Sequence, residues 1–202
     1  MNYFIAGIDT DSGKTLVSAI VCEALQADYW KPVQAGYPRD SETVRQLVSD
    51  NIIIHPEGYL LKTPASPHAS AKLDGVYIAL EKLPIPHTNN DLVIEGAGGC
   101  LVPLNDDQFV IDLITHFQAQ VVLVADLYLG SINHTLLTVE ALKHRCVPVK
   151  GLIFNGDSNP ESERIILHHS KLPCLLRIKR EPFINTETVR HYAQELNKNW
   201  HE

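Results

Sequence analysis

Positive charge is in short supply in this chain. Lys and Arg number 17 against 24 Asp and Glu, for a formal net charge of −7. A surface built to grip nucleic acid has the opposite balance, so nucleic acid is not expected as a partner. Anionic small molecules stay open, because one loop can be electropositive on an acidic protein. Cysteine is also scarce. Cys22, Cys100, Cys146 and Cys174 are widely spaced and form no C-x₂-C pair. A disulfide framework and a zinc site are therefore not expected, and the four read as reduced, mostly structural thiols of a cytoplasmic protein. The apolar runs fall far short of the ~20 residues a spanning helix needs, so no membrane partner is expected. The opening Met1 to Gly7 has neither a basic n-region nor a long apolar h-region, and reads as no secretory signal. There is no internal repeat and no low-complexity segment. With 202 residues, 45% of them hydrophobic, the chain can bury a core as a single domain over residues 1–202.

Glycine and apolar residues are arranged most tellingly at the start. Tyr3 to Ala6 reads as a buried strand, Gly7 to Gly13 as a polar turn, and Lys14-Thr15 opens an apolar segment with helical spacing. Strand, glycine-bounded loop and helix in this order are the physical content of a P-loop. Loop N–H groups and the helix dipole favour an anion there. Lys14 would reach the β- and γ-phosphates, and the Thr15 hydroxyl would reach Mg²⁺. The strict spacing is not met: Ile8 stands where the first glycine belongs, and Gly7 lies one position early.

Further along, apolar residues from Leu16 to Leu25 suit a helix on a sheet. Tyr29 to Gln34 reads as a short strand interrupted by Lys31-Pro32, where the proline keeps the lysine extended. Lys31 there suits either a site or a solvated surface. Asp40-Ser41-Glu42 reads as the entry to a helix reaching about Ser49, with Asp40 a ligand or an N-cap. Residues 51–75, rich in Pro and His, predict a long, partly irregular excursion containing Ser66-Pro67-His68. Val76 to Leu83 reads as an amphipathic segment. Asp91 to Glu95 is a second strong strand, and the glycines of Gly96-Ala97-Gly98-Gly99 imply close backbone approach to something. An acidic residue closing such a strand suits a Mg²⁺-organising carboxylate. Helices are expected from Val110 to Phe117, Gly130 to Arg145, Glu161 to His169 and Thr186 to Asn199. Strands are expected over Gln120 to Asp126, Val149 to Phe154 and Cys174 to Ile178. This alternation predicts an α/β fold, a mostly parallel sheet with helices on both faces, of P-loop NTPase type. Ligands of such sheets bind beyond the carboxyl ends of the strands. Gly7–Thr15, Lys31, Glu95–Gly99, Leu129–Asn133 and Asn155 all follow strands there, and so are expected to form one site.

The loop from Gly7 to Thr15 resembles the Gly-Thr-Asp-Thr-x-x-Gly-Lys-Thr opening of the dethiobiotin synthetases. The resemblance continues in order through Lys31-Pro32-Val33-Gln34-Ala35-Gly36 with Asp40, then Ser66-Pro67-His68, then Glu95-Gly96-Ala97-Gly98-Gly99 with Pro103. It ends with Leu129-Gly130-Ser131-Ile132-Asn133-His134 and Gly151-x-x-x-Asn155. It covers about residues 1–157.

What the resemblance implies is an ATP-dependent ligase of biotin synthesis that closes a ureido ring on 7,8-diaminononanoate with CO₂, through a carbamate and a carbamic–phosphoric anhydride. Lys31, Lys14 and Thr10 would be catalytic. ATP would meet Asp11, Ser12, Gly13, Lys14, Thr15, Leu16, Asp40, Glu95, Gly96, Ala97, Gly98, Asn155 and Gly156. The substrate would meet Thr10, Asp11, Lys31, Ala35 and Gly98, and its carboxylate would meet Leu129, Gly130, Ser131 and Asn133 of a second subunit, which implies a homodimer. Thr15, Asp40 and Glu95 would hold Mg²⁺ as hard oxygen ligands. Three places depart from the family pattern. Ala35 replaces a common serine, Ile8 a threonine, and Leu176-Arg177-Ile178-Lys179 lacks the usual Gly and Pro near the base. A partitioning-type ATPase switch, binding a partner rather than a metabolite, is the alternative. Such switches use a second lysine near the start of the loop, and Ile8 and Asp9 offer none.

Overall fold

The computed structural model describes residues 1–200. Six strands form one sheet: β1 (Asn2–Gly7), β2 (Asp28–Trp30), β5 (Leu92–Gly99), β6 (Gln120–Asp126), β7 (Val149–Asn155) and β8 (Cys174–Ile178), in the order β2-β5-β1-β6-β7-β8. Every paired strand runs parallel to its neighbour. Two further strands, β3 (Val33–Ala35) and β4 (Tyr59–Leu61), pair parallel in a small separate sheet.

Both faces of the main sheet are covered, so its strands read as continuous apolar runs, and successive residues serve opposite cores. Phe4, Leu92, Ile94, Leu123 and Phe154 pack on one side. They lie beneath α4 (Val110–His116), α5 (Ser131–His144) and α6 (Pro160–Ser170). Ile5, Val93, Val122, Val124 and Ile153 pack on the other. They lie beneath α1 (Lys14–Leu25), α2 (Asp40–Leu47) and α7 (Thr186–Asn199). By the same alternation, Glu95 follows Val93 onto the α1 face. Among the described residues, no helix is long and apolar enough to cross a membrane.

Three expectations change. The stretch from Tyr29 to Gln34 is two strands in two sheets, because the chain turns out of the main sheet at Lys31-Pro32. The excursion over residues 51–75 contains α3 (Pro67–Leu73), where a weak helical stretch is expected, and also an unexpected strand, β4, the partner β3 needs once it leaves the main sheet. Val76 to Leu83 makes only a single 3₁₀ turn, Leu80–Lys82. Its apolar residues Ile78, Leu80 and Leu83 reach the core without helical periodicity, and Pro84 and Pro86 follow closely.

At the edge strand β2, Asp28 is fully buried. Its carboxylate accepts from Thr88 Oγ1 at 2.6 Å and Asn90 Nδ2 at 3.0 Å, and lies 3.3 Å from His55 Nε2. Burial alone would raise its pKa, but these hydrogen bonds outweigh burial and hold it below the usual carboxylate value. A depressed carboxylate contributes stability above its unfolded-state pKa and loses it as pH falls through the folded value. Asp28→Asn is therefore expected to cost about 1–3 kcal/mol at neutral pH, with a smaller difference from the parent below about pH 4. Urea unfolding of both proteins between pH 7 and pH 3 checks this.

Candidate functional site

The loop after β1 is wound too tightly for side chains at its glycines. Gly13 caps α1 at φ 93°, and a Cβ there would stand 2.2 Å from Asn155 Nδ2. A Cβ at Gly7 would stand 2.2 Å from Ser12 Oγ. Asn155, closing β7, donates Nδ2 to the Ser12 carbonyl at 3.0 Å. Lys14 is buried and lies across the loop, its Nζ donating to the Asp9 carbonyl at 2.8 Å. Burial, reinforced by the positive charge of Lys31, lowers the Lys14 pKa against the pull of Glu95, Asp40 and Asp11. A desolvated ammonium at a helix N-terminus is a place where an anion is strongly favoured.

Glu95 is the hub. It is 1% exposed, on a strand flanked on both sides, so it is no surface charge. Its Oε1 accepts from Thr15 Oγ1 at 2.9 Å and Lys31 Nζ at 2.9 Å, and its Oε2 accepts from Tyr29 OH at 2.8 Å. Lys31 also donates to the Gly96 carbonyl at 3.1 Å and pairs with Asp40 Oδ2. Lys31 is 4% exposed, so it is no solvated surface lysine. Burial alone would lower its pKa; Glu95 and Asp40 reverse this and hold it above the usual lysine value. Tyr29 is pushed well above the usual phenol value, first by burial and then by Glu95, so it remains a hydrogen-bond donor. Asp40 is the first residue of α2 rather than its cap, which is Arg39, and its backbone N–H donates to Gln34 Oε1 at 3.0 Å.

Thr15, Asp40 and Glu95 thus surround one point, which the Lys31 ammonium now shares. Two carboxylates and a hydroxyl gathered about a cation suit Mg²⁺ that completes its shell with phosphate oxygens and water. Among the described residues, no group of three or more His, Cys, Asp or Glu side chains forms a metal cage. The donor set therefore fits a metal brought in with a nucleotide.

A cleft of about 710 Å³ opens here. Thr10, Asp11, Gly13, Lys14, Thr15, Lys31, Ala35, Asp40, Glu95, Ala97 and Gly98 line it, with Ser66 and Pro67 on the far wall. Ser12, Leu16, Gly96, Asn155 and Gly156 stand behind or beside this lining. Leu129–Asn133 does not line the cleft of its own chain. Strand β6 lies across β1 from β5 and β2, so its loop emerges on the other side of the P-loop. There Leu129, Gly130 and Asn133 are exposed and Ser131 is buried.

Sequence reasoning missed Tyr29, which touches the site only through Glu95, and Gln34, which lines the cleft and accepts from the Asp40 backbone. It also missed Asp126 at the end of β6. Burial raises the Asp126 pKa, Asp9 adds to this, and its Oδ1 has no hydrogen-bond partner among the described residues. An acidic residue closing an apolar strand was the available signal, the same one that marked Glu95. All four cysteines are free. Burial pushes the Cys100 thiol up to about 12, so it is no nucleophile.

A glycine-wound loop, a lysine-headed helix and a parallel sheet define a P-loop nucleotide-binding protein. The AAA domain family model matches residues 1–188. A ParA family ATPase from Chlorobium tepidum TLS superposes with TM-score 0.62 at 12% identity, over 98% of this chain and 96% of that one. The septum site-determining protein MinD from Pyrococcus horikoshii OT3, solved with Mg-ADP, gives TM-score 0.59 at 14% identity, over 99% and 93%. At such identities the likeness is one of fold alone, and the partitioning-type reading has only this distant support.

Curated relatives are much nearer. The ATP-dependent dethiobiotin synthetase BioD of Cytophaga hutchinsonii is 60% identical over 203 aligned positions, spanning 99% of this chain and 98% of that protein. The proteins of the same name from Christiangramia forsetii and Agrobacterium fabrum are 48% and 45% identical, over 98% of this chain and 96% and 95% of theirs. The chain belongs to the ATP-dependent dethiobiotin synthetase family.

Gly13→Ala is expected to disrupt the loop, both by its left-handed backbone, at about 1–2 kcal/mol, and by the clash with Asn155. Thermal melts and ADP titrations should show a lower Tm and weaker binding. Adding Asn155→Ala should recover part of the Tm by removing the clash.

Proposed function

We propose that this chain closes the ureido ring of dethiobiotin from 7,8-diaminononanoate, CO₂ and ATP, as a ligase of biotin synthesis. One observation carries the site reading: two buried lysines, Lys14 and Lys31, line a single cleft together with the buried Glu95 carboxylate. The reaction gathers a carbamate and a triphosphate, which repel each other, and cationic clamps on both sides of the transferring phosphoryl group answer that need.

In this reading one substrate amine takes up CO₂ as a carbamate. A carbamate oxygen attacks the γ-phosphorus and ADP leaves, giving the mixed anhydride. The second amine then attacks its carbonyl carbon, phosphate departs, and the ring closes. Lys14 and the backbone of Ser12, Gly13 and Leu16 hold the β- and γ-phosphates. Lys31 neutralises the carbamate as it meets the phosphoryl group, Thr10 donates to the same oxygens, and Asp11 faces an amine. Ala35 and Gly98 form walls against the substrate, while Gly96 and Ala97 let backbone approach the phosphates. Asn155 and Gly156 lie toward the purine. Thr15, Asp40 and Glu95 would hold Mg²⁺, which supplies electrostatic stabilisation of the developing phosphoryl charge. The exposed Leu129–Asn133 segment, at the N-terminus of α5, is assigned to the substrate carboxylate in a partner's cleft, making a homodimer with shared sites. Four scarce, unpaired cysteines suit a reducing compartment such as the cytoplasm, and one six-stranded sheet carrying both cores suits a single domain.

A coupled ADP-release assay tests the reading: release should require both diaminononanoate and bicarbonate. Release indifferent to the diamine would favour an ATPase switch instead. Lys31→Ala should lower kcat by about 10²- to 10³-fold while MgADP still binds. Its apo form should melt lower, since two carboxylates lose their shared cation, and MgADP should restore part of that loss.

A further inference from the structure

Glu95 has two oxygens, and only Oε1 meets Thr15 and Lys31. Its Oε2 accepts from the Tyr29 hydroxyl at 2.8 Å. Tyr29 pairs in register with Val93, and Glu95 lies two residues further along on the same face. The long phenol spans that offset. The ring itself is locked. It is 0% exposed within the core shared by Val17, Ile20, Val44 and Ile52. Its backbone is clamped on the outer side by Tyr29 N to Ile53 O and His55 N to Tyr29 O, both 2.9 Å.

From this geometry we infer that Tyr29 is a positioning residue: its hydroxyl fixes the rotation of the Glu95 carboxylate so that Oε1 is presented to the cleft. The inference rests on the reading of Glu95 as a ligand of the nucleotide's cation. Carboxylates that bind a cation are usually held by such outer hydrogen bonds, and losing one typically weakens the cation 10- to 100-fold. Packing of the ring does not need the hydroxyl; the carboxylate does. Without it, Oε2 stays buried with no donor, and Glu95 can swing to seek one.

Tyr29→Phe keeps the ring and removes only the hydroxyl. Binding of a fluorescent ADP analogue is to be followed across a Mg²⁺ titration, and again in EDTA. The Mg²⁺ concentration for half-maximal effect should rise about tenfold, while affinity in EDTA stays within about twofold. A role confined to packing would weaken both conditions alike. Equal weakening, an unchanged Mg²⁺ midpoint, or loss of folded protein by circular dichroism would each overturn the inference. Glu95→Gln, run in parallel, separates the two layers. If that variant leaves the Mg²⁺ midpoint unmoved, the ligand reading of Glu95 fails. If it moves the midpoint and Tyr29→Phe does not, only the positioning role fails.

Discussion

A carboxylate that has left water must be answered by donors, and the buried Glu95 imposes that demand on everything near it. The desolvation penalty for a single ion is several kcal/mol even after relaxation. Here it is offset by three hydrogen bonds from two separate pieces of chain: Thr15 in the first turn of α1, and Tyr29 on β2 with Lys31 just beyond it. Lys31 in turn ties in Asp40 at the start of α2. One side chain thus fixes the relative placement of the P-loop helix, the edge strand and the acidic helix, which are the parts a nucleotide has to find already aligned.

The same network has two competing cations. The Lys31 ammonium neutralises the carboxylates that the proposed metal would bind, so buried Glu95 is not left uncompensated before the ligands arrive. Lys14 is arranged otherwise. It rests on a carbonyl, is pushed down by burial, and among the described residues has no carboxylate in direct contact, which leaves its charge available to phosphate.

Legibility in the sequence followed a simple rule: groups whose chemistry demands a strand end or a glycine were readable, and groups that act through another side chain were not. Lys14, Thr15 and Glu95 announced themselves by following apolar runs. Strands β6 and β8 and helix α7 fell on their expected residues, because apolar periodicity dictates burial directly. Tyr29 looks like any core aromatic, and only the register against Val93 reveals where its hydroxyl ends. Gln34 is equally silent until Asp40 is folded beside it. Strand β4 was invisible because three residues carry too little pattern, and its partner β3 had first to leave the main sheet. That Leu129–Asn133 lies away from its own chain's cleft was not legible, because a shared sheet edge says nothing about which side of β1 a loop falls on.

The break at Lys31-Pro32 divides labour within eight residues. Before it, Asp28–Trp30 belongs to the main sheet and serves the phosphate machinery. After it, Val33–Ala35 belongs to the small sheet with Tyr59–Leu61 and forms the opposite wall, beside Ser66 and Pro67. The reacting groups therefore sit at a seam between two independently hydrogen-bonded frameworks. The small sheet makes its own ladder, so a side chain exchanged on it leaves the pairing of the strands that carry Glu95 and the P-loop untouched. Under the proposed reading, such a seam separates the wall that meets the metabolite from the framework that meets the nucleotide.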